Sequence, residues 1–176
     1  MKLILLAFAV FIVWMTVRAM NREKASRDRI KSVTAAVATA HGVTDLFVSP
    51  DDGSFVGLSP DGGQVIVGKG EAVRVLPTAS LLAVEGVRDE TVLIRAEPDG
   101  DPVSPAPVAE QGVSDIPERI RRLGLRLTTG DEVVSVAFYE GGRHGVSPDN
   151  AQFRKAAART EAWFRKLSTA MRLARS

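Results

Sequence analysis

Cysteine does not occur in the 176-residue chain, which excludes structural disulfides, cysteine-based zinc sites and thiol nucleophiles. Histidine is nearly as scarce. His41 and His144 are the two present, and neither has a second histidine or a carboxylate at metal-ligand spacing. His144 stands in the glycine-rich turn Gly141-Gly142-Arg143-His144-Gly145, without the orienting partner that a catalytic base needs. A Walker-type loop, a GxGxxG opening a helix and a GxSxG elbow are all missing. Asp51, Asp52 and Asp61 lack the oxygen-ligand spacing of a calcium loop. Gly141-Gly142 beside Arg143 can touch an anion, but reads more simply as a loose connection ahead of a helix. Aromatic residues are not interleaved with the arginines, and Tyr139 is the single tyrosine, which speaks against a nucleic-acid surface. The expectation is a protein with no catalytic residue, no metal and no cofactor, and not an enzyme.

What is present is unevenly distributed. The net charge is +2. Between Arg18 and Lys31, however, six basic residues (Arg18, Arg22, Lys24, Arg27, Arg29 and Lys31) face only Glu23 and Asp28. From Ser147 onward seven (Arg154, Lys155, Arg159, Arg165, Lys166, Arg172 and Arg175) face Asp149 and Glu161. Such asymmetry is usual near anionic surfaces. The length suits one domain once an N-terminal segment is set apart.

That segment is uncharged from Leu3 to Val17, somewhat short of the roughly 20 residues that cross a bilayer. Lys2 and Arg18 can extend it by snorkelling, and Trp14 suits an interface. A cleaved signal peptide and a buried helix are the competing readings. The flanks favour an uncleaved anchor over residues 1–20, because one lysine precedes the apolar run and a dense basic stretch follows it. By the positive-inside rule the following domain would face the cytoplasm. Residues 21–42 then read as a basic juxtamembrane helix. Ile30, Val33, Val37 and Ala40 share one face, and Gly42 follows as a left-handed cap. Arg18, Arg22, Lys24, Arg27 and Arg29 are the residues expected to contact anionic lipid.

From Ser54 the pattern alternates. Phe55 to Leu58 is one strand. Val65 and Val67 alternate with Gln64, Ile66 and Gly68, and Val73 and Val75 flank Arg74. Apolar runs at Leu81–Val87 and Thr91–Glu97 follow. Leu123, Leu125 and Leu127 then alternate with Arg122, Gly124 and Arg126, and Val134, Val136 and Phe138 close the series. Three Ser-Pro-Asp triplets, beginning at Ser49, Ser59 and Ser147, read as two turns and a helix cap. Residues 98–118 form a proline-rich excursion, in which Pro102-Val103-Ser104-Pro105 matches a PxxP pattern of low specificity. The chain ends in a helix with Ser147 as its expected N-cap and Pro148 at its first position. Phe153, Ala156, Thr160, Trp163 or Phe164, Leu167 and Met171 form its apolar stripe.

Seven short strands closed by one amphipathic helix that carries Trp163 resemble the pleckstrin-homology fold, over residues 54–173. The likeness extends to the pleckstrin-homology-like modules of bacterial membrane proteins. It implies an α+β, mostly β, seven-stranded sandwich or barrel within 47–175. Lipid-binding members of that fold use basic residues around the first hairpin, whereas Asp51-Asp52 and Ser59-Pro60-Asp61-Gly62-Gly63 make it acidic here. The function expected is a binding or adaptor role at the cytoplasmic face of a bacterial inner membrane, with a protein partner, anionic lipids and no nucleic acid. Two other readings stand beside it. One is an exported envelope binding protein or enzyme with a signal peptide. The other is a structural subunit that oligomerises through residues 21–41.

Overall fold

Two stretches in which neighbouring residues are all apolar, Phe55-Val56 and Val65-Ile66-Val67, decide how the domain is layered. Successive strand residues point to opposite faces, so a strand apolar at every position must be covered on both sides. The structure is a computed structural model that describes residues 14, 15, 18, 28, 32, 34–43, 45–100 and 119–176. Both faces of these strands are covered in it. Phe55 and Ile66 pack with Val37 and Val43, while Val56, Val65 and Val67 join the main core.

Residues 34–40 are helical (α1). The chain leaves this helix through Gly42 at φ +63°. The Val43 amide donates to Ala38 O at 2.8 Å and the Gly42 amide to Thr39 O at 3.4 Å, the paired bonds of a Schellman cap. Four strands follow as an antiparallel meander: β1 (Asp45–Val48), β2 (Ser54–Leu58), β3 (Gln64–Lys69) and β4 (Ala72–Pro77). A 3-10 turn at Thr78–Ser80 leads into β5 (Leu81–Arg88), β6 (Thr91–Ala96), β7 (Arg122–Thr129) and β8 (Val133–Glu140). These form a second antiparallel sheet in the order β6-β5-β7-β8. The C-terminal helix α2 (Ala151–Leu173) packs on β5, β7 and β8. Its buried stripe includes both Trp163 and Phe164 and merges with residues of both sheets into one core.

The sheets meet where β2 approaches β8. Ser54 Oγ donates to Asp52 Oδ1 at 2.6 Å and accepts the Ala137 amide at 2.9 Å. The rings of Phe47 and Phe138 stack with centroids 3.9 Å apart. Asp51 Oδ2 accepts the Glu140 amide at 2.9 Å. The edge of β8 thus finds side-chain acceptors for backbone groups that would otherwise lack partners.

Several expectations are corrected. Among the described residues there are eight strands in two four-stranded sheets, not a seven-stranded pleckstrin-homology-like sandwich or barrel. The additional strand, Asp45–Val48, is too short for alternation to reveal. It is held by pairing with β2, from Asp45 opposite Leu58 to Val48 opposite Phe55. No helix among the described residues is long and apolar enough to cross a membrane. The single-pass anchor, the signal-anchor reading and the inner-membrane location are therefore withdrawn. Of Leu3–Val17 only Trp14 and Met15 are described. Ile66 does not alternate outward to solvent, because α1 covers that face. The N-cap of α2 is Asn150 rather than Ser147. Asn150 Oδ1 accepts the amides of Gln152 at 2.8 Å and Phe153 at 3.2 Å, while Ser147 Oγ serves the turn before it through the Asp149 amide. Most of the proline-rich excursion, residues 101–118 with its PxxP pattern, lies outside the described residues.

Two measurements test this architecture. Ile66→Ala should lower the unfolding free energy by about 2–5 kcal/mol in urea, and a loss below about 1 kcal/mol would mean that α1 does not seal this face. Burial alone would raise the Asp52 carboxyl. The Ser54 hydroxyl and amide outweigh it, with Lys69 and Ser49, and hold the group below its ordinary 3.8. A depressed carboxyl contributes stability that is present above 3.8 and is lost as pH falls through the lower folded value. Asp52→Asn should therefore be less stable at neutral pH and lose less on acidification, read from urea midpoints between about pH 2 and about pH 7. Parallel pH profiles for the two proteins would refute this role.

Candidate functional site

The second sheet carries two sets of arginines in opposite electrostatic situations. On its outer face, Glu85 of β5 stands in register between Arg95 of β6 and Arg126 of β7. Glu85 is 4% exposed. Its carboxylate accepts Arg126 Nε at 2.6 Å and Arg95 Nη1 at 3.1 Å, and Arg95 also reaches Glu97 at 2.7 Å. These charges are mutually satisfied, as a buried carboxylate requires.

At the end of the same sheet lies a groove of about 1090 Å³, lined by Arg88, Asp89, Glu90, Thr91, Leu93, Arg119, Arg121, Arg122, Glu140, Gly142 and Arg143. Five guanidiniums share it with three carboxylates. Among the described residues none of the five forms an ion pair. Arg119 donates weakly to His144 O at 3.4 Å. Arg88 is the outlier, since it is 5% exposed and no hydrogen bond or ion pair reaches its guanidinium among the described residues. Arg172 Nε is the single fully buried side-chain nitrogen there without a partner. The Arg88 nitrogens therefore keep contact with the water of the groove. A cation so little exposed and without a counter-charge gives up part of its hydration.

Backbone geometry builds the walls. The β5–β6 turn places Asp89 at φ +46° and Glu90 at φ +73°, a left-handed pair for which asparagine and glycine are the usual occupants. Asp89 is held there by its own carboxylate, which accepts the amides of Arg122 at 2.7 Å and Arg121 at 3.0 Å. The Asp89 amide in turn donates to Arg122 O at 3.1 Å. One of the three groove carboxylates is thereby engaged by backbone amides, while Glu90 and Glu140 form no ion pair among the described residues. On the far wall, Gly141 N donates to Arg121 O at 2.6 Å, and Ile120 and Val146 exchange amide bonds at 2.8 and 2.9 Å. The Arg119–Arg122 strand start is so fixed beside the Gly142-Arg143 turn. Leu93 is passed over in the β5–β6 register between Val92 and Ile94, a bulge of the kind that re-aims a side chain, and it lines the groove.

Of the residues expected to contact lipid, Arg18 is described. It is exposed and its guanidinium lies 4.9 Å from the Trp14 ring centroid. Arg22, Lys24, Arg27 and Arg29 lie outside the described residues. His41 and His144 are both exposed, and no group of three metal-ligating side chains occurs among the described residues. Asp51, Asp52 and Asp61 are each tied to their own turn or seam. Arg122 and the Gly141-Gly142-Arg143 turn stand out in the sequence, but no local pattern joins them. Arg88 was hidden because it ends an apolar run and so looks like an ordinary strand terminus. Compared with known proteins, the chain matches no family model, no curated protein and no solved structure.

If Arg88 is held at an energetic cost, Arg88→Met, which keeps the apolar stem, should raise the thermal midpoint, by about 2–4 °C for each kcal/mol relieved in a chain of this length. A lower midpoint would mean that the guanidinium stabilises the fold where it stands.

Proposed function

We propose that the protein is a non-enzymatic binding module that takes an anionic group of a partner protein into the arginine groove. Arg88 carries this reading: it is 5% exposed, lines the groove and has no hydrogen bond or ion pair to its guanidinium among the described residues, so an anionic ligand would supply the counter-charge. Binding is favoured over chemistry by the residue type. A guanidinium holds its proton at any accessible pH and donates hydrogen bonds, so it is not a base or a nucleophile. A protein partner is favoured over nucleic acid because no aromatic side chain lines the groove for a base to stack on. Leu93 and Thr91 instead offer a mixed wall suited to side chains. The module needs no cofactor for this role.

Calorimetric titration with hexaglutamate and with pyrophosphate, at low and at physiological salt, tests the reading. At least one probe should bind, more weakly at higher salt. Arg88→Met should weaken that binding by about tenfold to a hundredfold, the range of a hydrogen bond to a charged group at about 1.5–3 kcal/mol. Binding of neither probe, or equal binding by native protein and variant, would overturn it.

A further inference from the structure

We infer that the anionic group is a phosphomonoester carried on an extended segment of the partner, an inference that rests on the groove being the binding site. The charge count points to it. Five guanidiniums against three carboxylates line the groove, which leaves a surplus of two positive charges. A phosphomonoester carries about −1.5 to −2 at neutral pH, whereas a single carboxylate neutralises half of the surplus. The donor count points the same way. Arg88, Arg121, Arg122 and Arg143 have no side-chain hydrogen bond among the described residues, and each guanidinium presents a fork of N–H donors. One carboxylate has two acceptor oxygens, which two guanidiniums already occupy at Glu85. A phosphoryl group has three terminal oxygens and accepts from several guanidiniums at once.

Arg88 determines where the phosphate sits. Its low exposure reduces solvent screening, so its attraction for a doubly charged group is stronger than that of the exposed rim arginines. The rim residues Arg121, Arg122 and Arg143 then close on the remaining oxygens. Asp89 keeps the negative charge already counted in the surplus, with its oxygens occupied by the amides of Arg121 and Arg122. The groove, at about 1090 Å³, is far larger than one phosphate requires and matches the upper size of a ligand pocket. Thr91 and Leu93 also line the groove and offer contacts for the residues on either side of a phosphorylated side chain.

Fluorescence anisotropy with short alanine–glycine peptides that differ at one central position (serine, glutamate or phosphoserine) tests the inference, with inorganic phosphate as competitor. The phosphoserine peptide should bind about tenfold or more tightly than the glutamate peptide, and the serine peptide should not bind. Arg88→Met should bring the phosphoserine peptide to the glutamate level, and Arg88→Lys, which keeps charge but loses the fork, should fall between. Equal binding of phosphoserine and glutamate would overturn the phosphate class and leave the groove reading intact. Failure of all three peptides together with hexaglutamate and pyrophosphate would overturn both. Inorganic phosphate competing as tightly as the phosphopeptide itself would overturn the extended segment. Thermal midpoints of both variants establish that they are folded.

Discussion

A serine hydroxyl joins the two halves of this protein. Ser54 Oγ donates a hydrogen bond to Asp52 and accepts one from the amide of Ala137, so that one buried side chain spans from the first sheet to the second. Around it Phe47 stacks on Phe138 and Asp51 receives the Glu140 amide. An open sheet edge leaves backbone donors without partners, and here the β1–β2 turn supplies the acceptors. The end of β8 is fixed by this seam, and from that end the chain runs directly through Glu140 to Arg143, one wall of the groove.

The two arginine sets of the second sheet show what the fold does with charge. Glu85 neutralises Arg95 and Arg126 within one cross-strand row. A few residues along β5, Arg88 has the same chemistry and forms no ion pair among the described residues. The difference arises at the β5–β6 turn. There one of the groove's three acids, Asp89, bends back under a left-handed backbone to bind the amides that open β7. Positive φ at both Asp89 and Glu90 is strain of the kind that accumulates at functional sites. Beside this turn lies an arginine cluster in which one of the three groove carboxylates is engaged by backbone amides.

Burial on both faces explains the place of α1. The β2 and β3 strands carry Phe55 and Ile66 on one side and Val56, Val65 and Val67 on the other. With the second sheet and α2 on the inner side, the outer side needs Val37 and Ala38 of α1 and Val43 just beyond it. The helix before the sheets is therefore part of the packing and not simply a spacer.

Local physics was legible in the chain. Alternation and apolar runs marked seven of the strands, three-and-four spacing marked α2 and its buried stripe, and Gly42 marked the end of α1. These features depend on residues within one turn or one strand of each other, and side-chain pattern and backbone propensity are enough to set them. Asp45–Val48 was not legible, because four residues carry too little pattern and the strand exists through its pairing with β2. Asn150 displaced Ser147 as the cap of α2 through its fit to the amides of Gln152 and Phe153, which nearby candidates alone do not rank. The β6-β5-β7-β8 order and the convergence of Arg88, Arg119, Arg121, Arg122 and Arg143 on one groove were decided by tertiary structure. They join residues up to dozens of positions apart, and the juxtaposition of such residues is fixed by sheet pairing and core closure, which no local pattern encodes.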